Sequence, residues 1–179
     1  MRVCGTIGCL LLSELRSKLA GWLASAGLIV APIEEKGLPS NAEWGLAVST
    51  PPPIQVKLRL LGLRGGVVVA GIGVNFAEQH RQEMMKLKPA ERIVFTARLT
   101  AALLTLCPYC RIALQGGMTE PSAIVAEIVY YSDTITKQRI VDDIARLINV
   151  FLLVNALLWQ QFPQTHSGKG EGREGVSFL

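Results

Sequence analysis

Ile54-Gln55-Val56-Lys57-Leu58-Arg59-Leu60-Leu61 alternates apolar and polar side chains, and after Gly62-Leu63-Arg64-Gly65-Gly66 the chain resumes with Val67-Val68-Val69-Ala70-Gly71-Ile72-Gly73-Val74-Asn75-Phe76. An extended chain points successive side chains to opposite sides. Val56, Leu58 and Leu60 therefore share one side, and Gln55, Lys57 and Arg59 share the other. The glycine cluster between the two runs supplies a turn. The stretch 54–76 reads as an antiparallel hairpin with one face against a core.

Working towards the N-terminus, Trp44, Leu46 and Val48 alternate through residues 44–49 and predict another strand. Pro51-Pro52-Pro53 ends it, because proline has no N–H to give to a ladder. Residues 32–41 are a loop, and Leu28 to Val30 is a short extended piece. Ser13 to Ala26 carries Leu15, Leu19, Trp22, Leu23 and Ala26 at helical spacing, with Ser13 as a candidate N-cap and Gly27 as the stop.

Towards the C-terminus, helix formers fill 77–87, Pro89 interrupts and restarts the helix, and Pro108 stops it. Residues 109–115 and 122–131 read as strands around Gly116-Gly117. A long helix follows, with Asp133 or Thr134 as N-cap and Ile140, Ile144, Leu147, Phe151, Val154 and Leu158 along one face. The predicted fold is α+β: a mainly antiparallel five-stranded sheet with helices on one face, in the order helix, three strands, helix, two strands, helix. The predicted organisation is an N-terminal extension 1–12, a single domain 13–162 and a flexible tail 163–179.

Composition narrows the function classes. Of 179 residues, 50% are hydrophobic and 18% charged, and mean hydropathy is positive, which excludes disorder as the main state. Four cysteines are too few for a disulfide scaffold. A membrane-spanning helix needs about 20 consecutive apolar residues. The run Leu147–Trp159 is shorter and contains Asn149 and Asn155. The N-terminal run Val3–Leu12 imitates a signal peptide, but Glu14, Arg16 and Lys18 interrupt it with no cleavage motif. A cytoplasmic location without membrane contact is expected.

Residues 51–115 hold 9 basic and 3 acidic side chains, a local charge of +6. Lys57, Arg59 and Arg64 could follow a phosphate backbone, yet no aromatic residues alternate with them to stack bases. They read as the solvated face of the hairpin, and nucleic acid is not the expected partner.

Cys107-Pro108-Tyr109-Cys110 resembles the glutaredoxin active site in its four letters. Thiol–disulfide exchange requires a thiolate, which a helix N-terminus favours. Here the preceding residues 101–106 form the end of a helix, and Gly116-Gly117 follows too soon for the helix that glutaredoxins place after the motif. Two buried thiols or a local disulfide is the plainer reading, with redox catalysis by Cys107 and Cys110 as the alternative. Adding Cys4 and Cys9 would complete four zinc thiolates, but Cys4 falls in the extension, so no metal is expected. His80 is expected on an exposed helix face. Gly71-Ile72-Gly73 begins a dinucleotide fingerprint that Phe76 breaks, and is better read as strand glycines approached by another backbone or helix. Asp142 and Asp143 are adjacent on a helix and point apart. No cofactor is expected.

The element order resembles the type III secretion chaperone fold, an α-βββ-α-ββ-α unit. More narrowly, three runs are similar to an uncharacterised archaeal family thought to share that fold: His80-Arg81-Gln82-Glu83 through Lys88-Pro89-Ala90-Glu91-Arg92; Arg98-Leu99-Thr100-Ala101-Ala102-Leu103-Leu104; and Tyr131-Ser132-Asp133 opening a long helix with Arg139. The likeness covers roughly residues 13–162. It implies a protein-binding or dimeric helper module, not an enzyme, and it brings no site residues. A homodimer or protein client is therefore the expected partner. The candidate interface is the apolar excess of the last helix: Leu152, Leu153, Val154, Leu157, Leu158 and Trp159.

Overall fold

In the computed structural model, which describes residues 6–163, the elements in chain order are α1 (Thr6–Ser25), β1 (Ile29–Pro32), β2 (Ala42–Ser49), β3 (Lys57–Leu63), β4 (Val67–Asn75), α2 (Glu78–Lys86), α3 (Pro89–Leu106), β5 (Arg111–Gln115), β6 (Ala123–Tyr131) and α4 (Lys137–Gln161). The class is α+β. The sheet has six strands rather than five, in the order β1-β2-β3-β4-β6-β5. The added strand, β1, pairs only with β2, Ile29 opposite Ser49 and Pro32 opposite Leu46. Four residues are too few for alternation to register, and only the partner strand makes this segment a strand. The predicted element order is corrected accordingly: four strands precede the α2–α3 pair.

The β3–β4 hairpin lies within residues 54–76, but β3 begins at Lys57 and extends through Gly62 and Leu63, which the sequence pattern assigns to the turn, with Leu60 opposite Ala70 and Leu63 opposite Val67. β6 lies antiparallel to β4: Ser132 N–H donates to Gly66 C=O at one end and Phe76 N–H to Ser122 C=O at the other, 2.8 and 2.9 Å. On β3, β4 and β6 one side is buried and the other half-buried, the period-two pattern of a sheet covered on one face. The half-buried side is less polar than a solvated face, since Lys57 and Arg59 give way to Leu61, Leu63, Val67 and Val69.

The chain divides into two compact units. The first holds the chain up to Gly71 together with Ile128–Ile144. Leu19 and Leu23 of α1 are fully buried in it, as are Leu58 and Leu60 of β3. Trp44 stands opposite Gly62 across β2–β3, where the register shifts between Ala42 and Trp44. A Cβ on Gly62 would fall inside the Trp44 indole, so this position requires glycine. The predicted close approach at Gly71–Gly73 is not found at Gly73, where no atom of the described residues lies within 4 Å of the Cβ position. α1 starts at Thr6 rather than at Ser13. The N-cap of α4 is Thr136, whose hydroxyl accepts the Arg139 N–H at 3.3 Å. Asp133 and Thr134 instead sit in a turn closed by Thr134 N–H to Tyr131 C=O, 3.0 Å. Arg139 lies over the Tyr130 ring at 5.6 Å and reaches the buried Asp143 carboxylate at 3.8 Å.

The second unit holds Ile72–Glu127 together with the chain from Ala145 onward. Lys88 takes an extended conformation before Pro89, which separates α2 from α3. The Glu91 carboxylate accepts the Lys88 N–H at 2.9 Å and closes the start of α3. His80 is buried rather than exposed, 6% accessible. It shares the inner face of α2 with Met84, and its ring lies 6.4 Å from that of Phe162. Phe95 meets Phe162 edge-on at 5.5 Å. Spacing alone could not choose the inner face of α2, because so short and polar a helix has no stripe. Of the extension read over 1–12, residues 6–12 belong to α1 and residues 1–5 lie outside the described residues, as does the tail from 164 onward.

Candidate interaction surface

The six α4 residues expected at an interface divide by depth. Val154 and Leu158 are 0% and 1% accessible, so they belong to the protein's own core and leave the candidate surface. Leu153 and Leu157 are half-buried. Leu152 and Trp159 are 43% and 49% exposed. The reason is the helical period: positions 140, 144, 147, 154 and 158 form the core stripe, and 152 and 159 fall well off it.

A second apolar surface was not singled out from the sequence. On α3 the inner stripe is Arg92, Phe95, Thr96, Leu99 and Leu103. The outer side carries Ile93, Ala97, Ala101 and Leu104, spaced i, i+4, i+8 and i+11, with Val94 beside them. Ile93, Val94 and Leu104 are 42%, 50% and 44% exposed. Along that side of α3 the charges are confined to Glu91 and Arg98. Its threonines add little polarity: Thr100 and Thr105 donate to the C=O groups of Thr96 and Ala101, both at 2.9 Å. The signal was present as a second apolar stripe, but alternation between two stripes reads as one mixed face until burial separates them.

Cys107 and Cys110 form a disulfide. Cys107 is the C-cap of α3, its N–H donating to Leu103 C=O, and Cys110 N–H donates to Cys107 C=O. Both residues are buried. The bond closes the turn between α3 and β5, and its burial screens the sulfurs from an attacking thiolate. A disulfide-bonded pair supplies no thiolates to zinc, and among the described residues no cluster of three or more His, Cys, Asp or Glu could hold a metal ion. Beside this turn, Arg146 of α4 donates to the Tyr109 hydroxyl and lies over its ring at 5.3 Å. Of the basic stripe, Lys57 and Arg59 are half-buried on β3, and Arg64 is exposed at the hairpin turn.

Among the described residues, no helix is long and apolar enough to cross a membrane. No curated protein matches the chain. One solved structure, described as the crystal structure of an uncharacterized protein from Methanothermobacter thermautotrophicus, superposes with a TM-score of 0.71. It is 14% identical and the match covers 83% of this chain and 99% of that one, a likeness of fold alone. A family model described as "Uncharacterized conserved protein (DUF2299)" matches residues 15–158. The chain, matched over most of its length, belongs to that uncharacterised conserved family.

Proposed function

We propose that the protein is a non-enzymatic protein-binding module that works as a homodimer, with α3 as the contact between subunits. The observation behind this reading is the outer side of α3, where Ile93, Val94 and Leu104 are about half exposed around two alanines. Contiguous exposed aliphatic side chains mark interaction surfaces more often than solvated ones. The pattern is also self-complementary. In an antiparallel pair of α3 helices, Ala97 of one subunit meets Ala101 of the other, which lets the backbones approach. Ile93 and Leu104 then pack on either side of the crossing, as an isologous two-fold contact requires. A client chain would bind to the assembled pair.

Sedimentation of the full chain tests the reading. Wild type is expected to be a dimer at micromolar concentration. Ala97→Arg, which places a charge at the crossing without touching the core, is expected to be a monomer with the same circular dichroism. A wild-type chain that stays monomeric at high concentration overturns the proposal, and so does an Ala97→Arg dimer of unchanged affinity.

A further inference from the structure

Arg92 is the buried cation of the α2–α3 corner. Only 8% of it is accessible. Helical side chains lean towards the N-terminus of their helix, which carries this guanidinium from the inner face of α3 back towards α2. There Nη1 donates to the Met85 sulfur at 3.0 Å, a weak and neutral acceptor. Nε has no acceptor among the described residues. The neighbouring carboxylates are engaged elsewhere. Glu78 takes Arg81 and Gln82, Glu83 takes Lys86, and Glu91 takes the Lys88 N–H. The positive end of the α3 dipole lies at the same corner and adds to its positive potential.

A guanidinium withdrawn from water without a counter-charge is costly, and a charged partner with good geometry is what offsets that cost. We propose that Arg92 is the receptor for an organic carboxylate, which enters the α2–α3 corner and replaces the Met85 thioether. Charge and shape select this ligand class. A single guanidinium neutralises one negative charge, so a carboxylate closes the balance, whereas a phosphate dianion would leave one charge buried. The planar fork of donors matches two carboxylate oxygens. Met85 is 51% exposed and Met is a flexible side chain, so its thioether can swing outwards as the ligand enters.

The carboxylate could come from a free small acid or from the end of a peptide, and both present the same group. The test follows the Arg92 Nε–H resonance of the full-length protein, assigned by its loss in Arg92→Lys. Titrations use benzoate, a short peptide with a free C-terminus, its amidated form, phosphate, and chloride at matched ionic strength. A saturable shift of the Arg92 resonance with benzoate or with the free-carboxylate peptide is expected, and the stronger of the two identifies the source. Chloride and the amidated peptide should leave it in place. Met85→Ala should tighten binding several-fold by the same resonance, and Arg92→Met, followed by titration calorimetry because it has no guanidinium resonance, should show no binding heat. The proposal is overturned if neither carboxylate moves the resonance, if chloride moves it equally, if phosphate binds more tightly than both carboxylates, or if Arg92→Met binds with undiminished affinity.

Discussion

The β2–β3 ladder and the α2–α3 corner are both buried, but they are held in different ways. In the ladder, Trp44 lies over Gly62 and the flanking Leu46, Val48, Leu58 and Leu60 are at most 3% accessible. Its geometry is set by shape, because an indole and a strand backbone occupy the space together. The corner contains His80, Arg92 and Thr96, and the disulfide closes the turn at the opposite end of α3. The corner's geometry is set by the Lys88-Pro89 break and by hydrogen bonds at the start of α3. A contact set by shape fails when a methyl group is added. One held by polar groups tolerates changes of size and fails when a partner is removed.

The largest effect should come from adding one carbon to the ladder. Gly62→Ala forces a Cβ into the Trp44 ring and should destabilise by about 3 kcal/mol, read as a lower denaturant midpoint. Making room should relieve the cost: with Trp44→Leu in place, the further penalty of Gly62→Ala should fall by more than about 1 kcal/mol in a double-mutant cycle. Additive penalties would remove shape as the organising feature of the ladder.

Next comes the covalent link of the second unit. The disulfide closes a loop of four residues, Cys107 to Cys110. The chain-entropy relation assigns so small a loop about 2 kcal/mol. Cys107→Ser with Cys110→Ser should lower stability by that amount in equilibrium unfolding. In the wild type, alkylation of these cysteines under mild reductant should require denaturant, because both are buried. Rapid alkylation of the native protein would instead favour the redox reading of the pair.

The smallest effect belongs to a single hydrogen bond at a helix start. Thr136→Ala removes the acceptor of the Arg139 N–H and should cost about 1 kcal/mol of thermal stability. Asp133→Ala should cost less than about 0.5 kcal/mol, the range of ordinary surface changes. Reversed magnitudes would return the cap to the position expected from the sequence.

Much of the fold was legible because its causes are local. Alternation in Ile54–Leu61 and the glycines after it specify a hairpin without reference to any distant residue. The X-Pro restriction at Lys88-Pro89 separates two helices by a clash between neighbours. The candidate surface was legible only in part. Leu152 and Trp159 emerged on the outside, while Val154 and Leu158 were needed inside. An apolar residue on a helix that is apolar most of the way round cannot declare which side will meet the sheet.

What residue order determined here is whatever a few neighbours can settle: which stretches extend, which coil, where prolines and glycines break them, and that each element has an apolar side. Tertiary structure decided what each side meets. It made a strand of Ile29–Pro32 by pairing it with β2, and placed β6 between β4 and β5. It buried His80 against Phe162, set Arg92 beside a thioether instead of a carboxylate, and left the outer side of α3 open. Periodicity reports that a face will be buried. Identifying what it is buried against requires contacts between residues far apart in the chain, which no local pattern encodes.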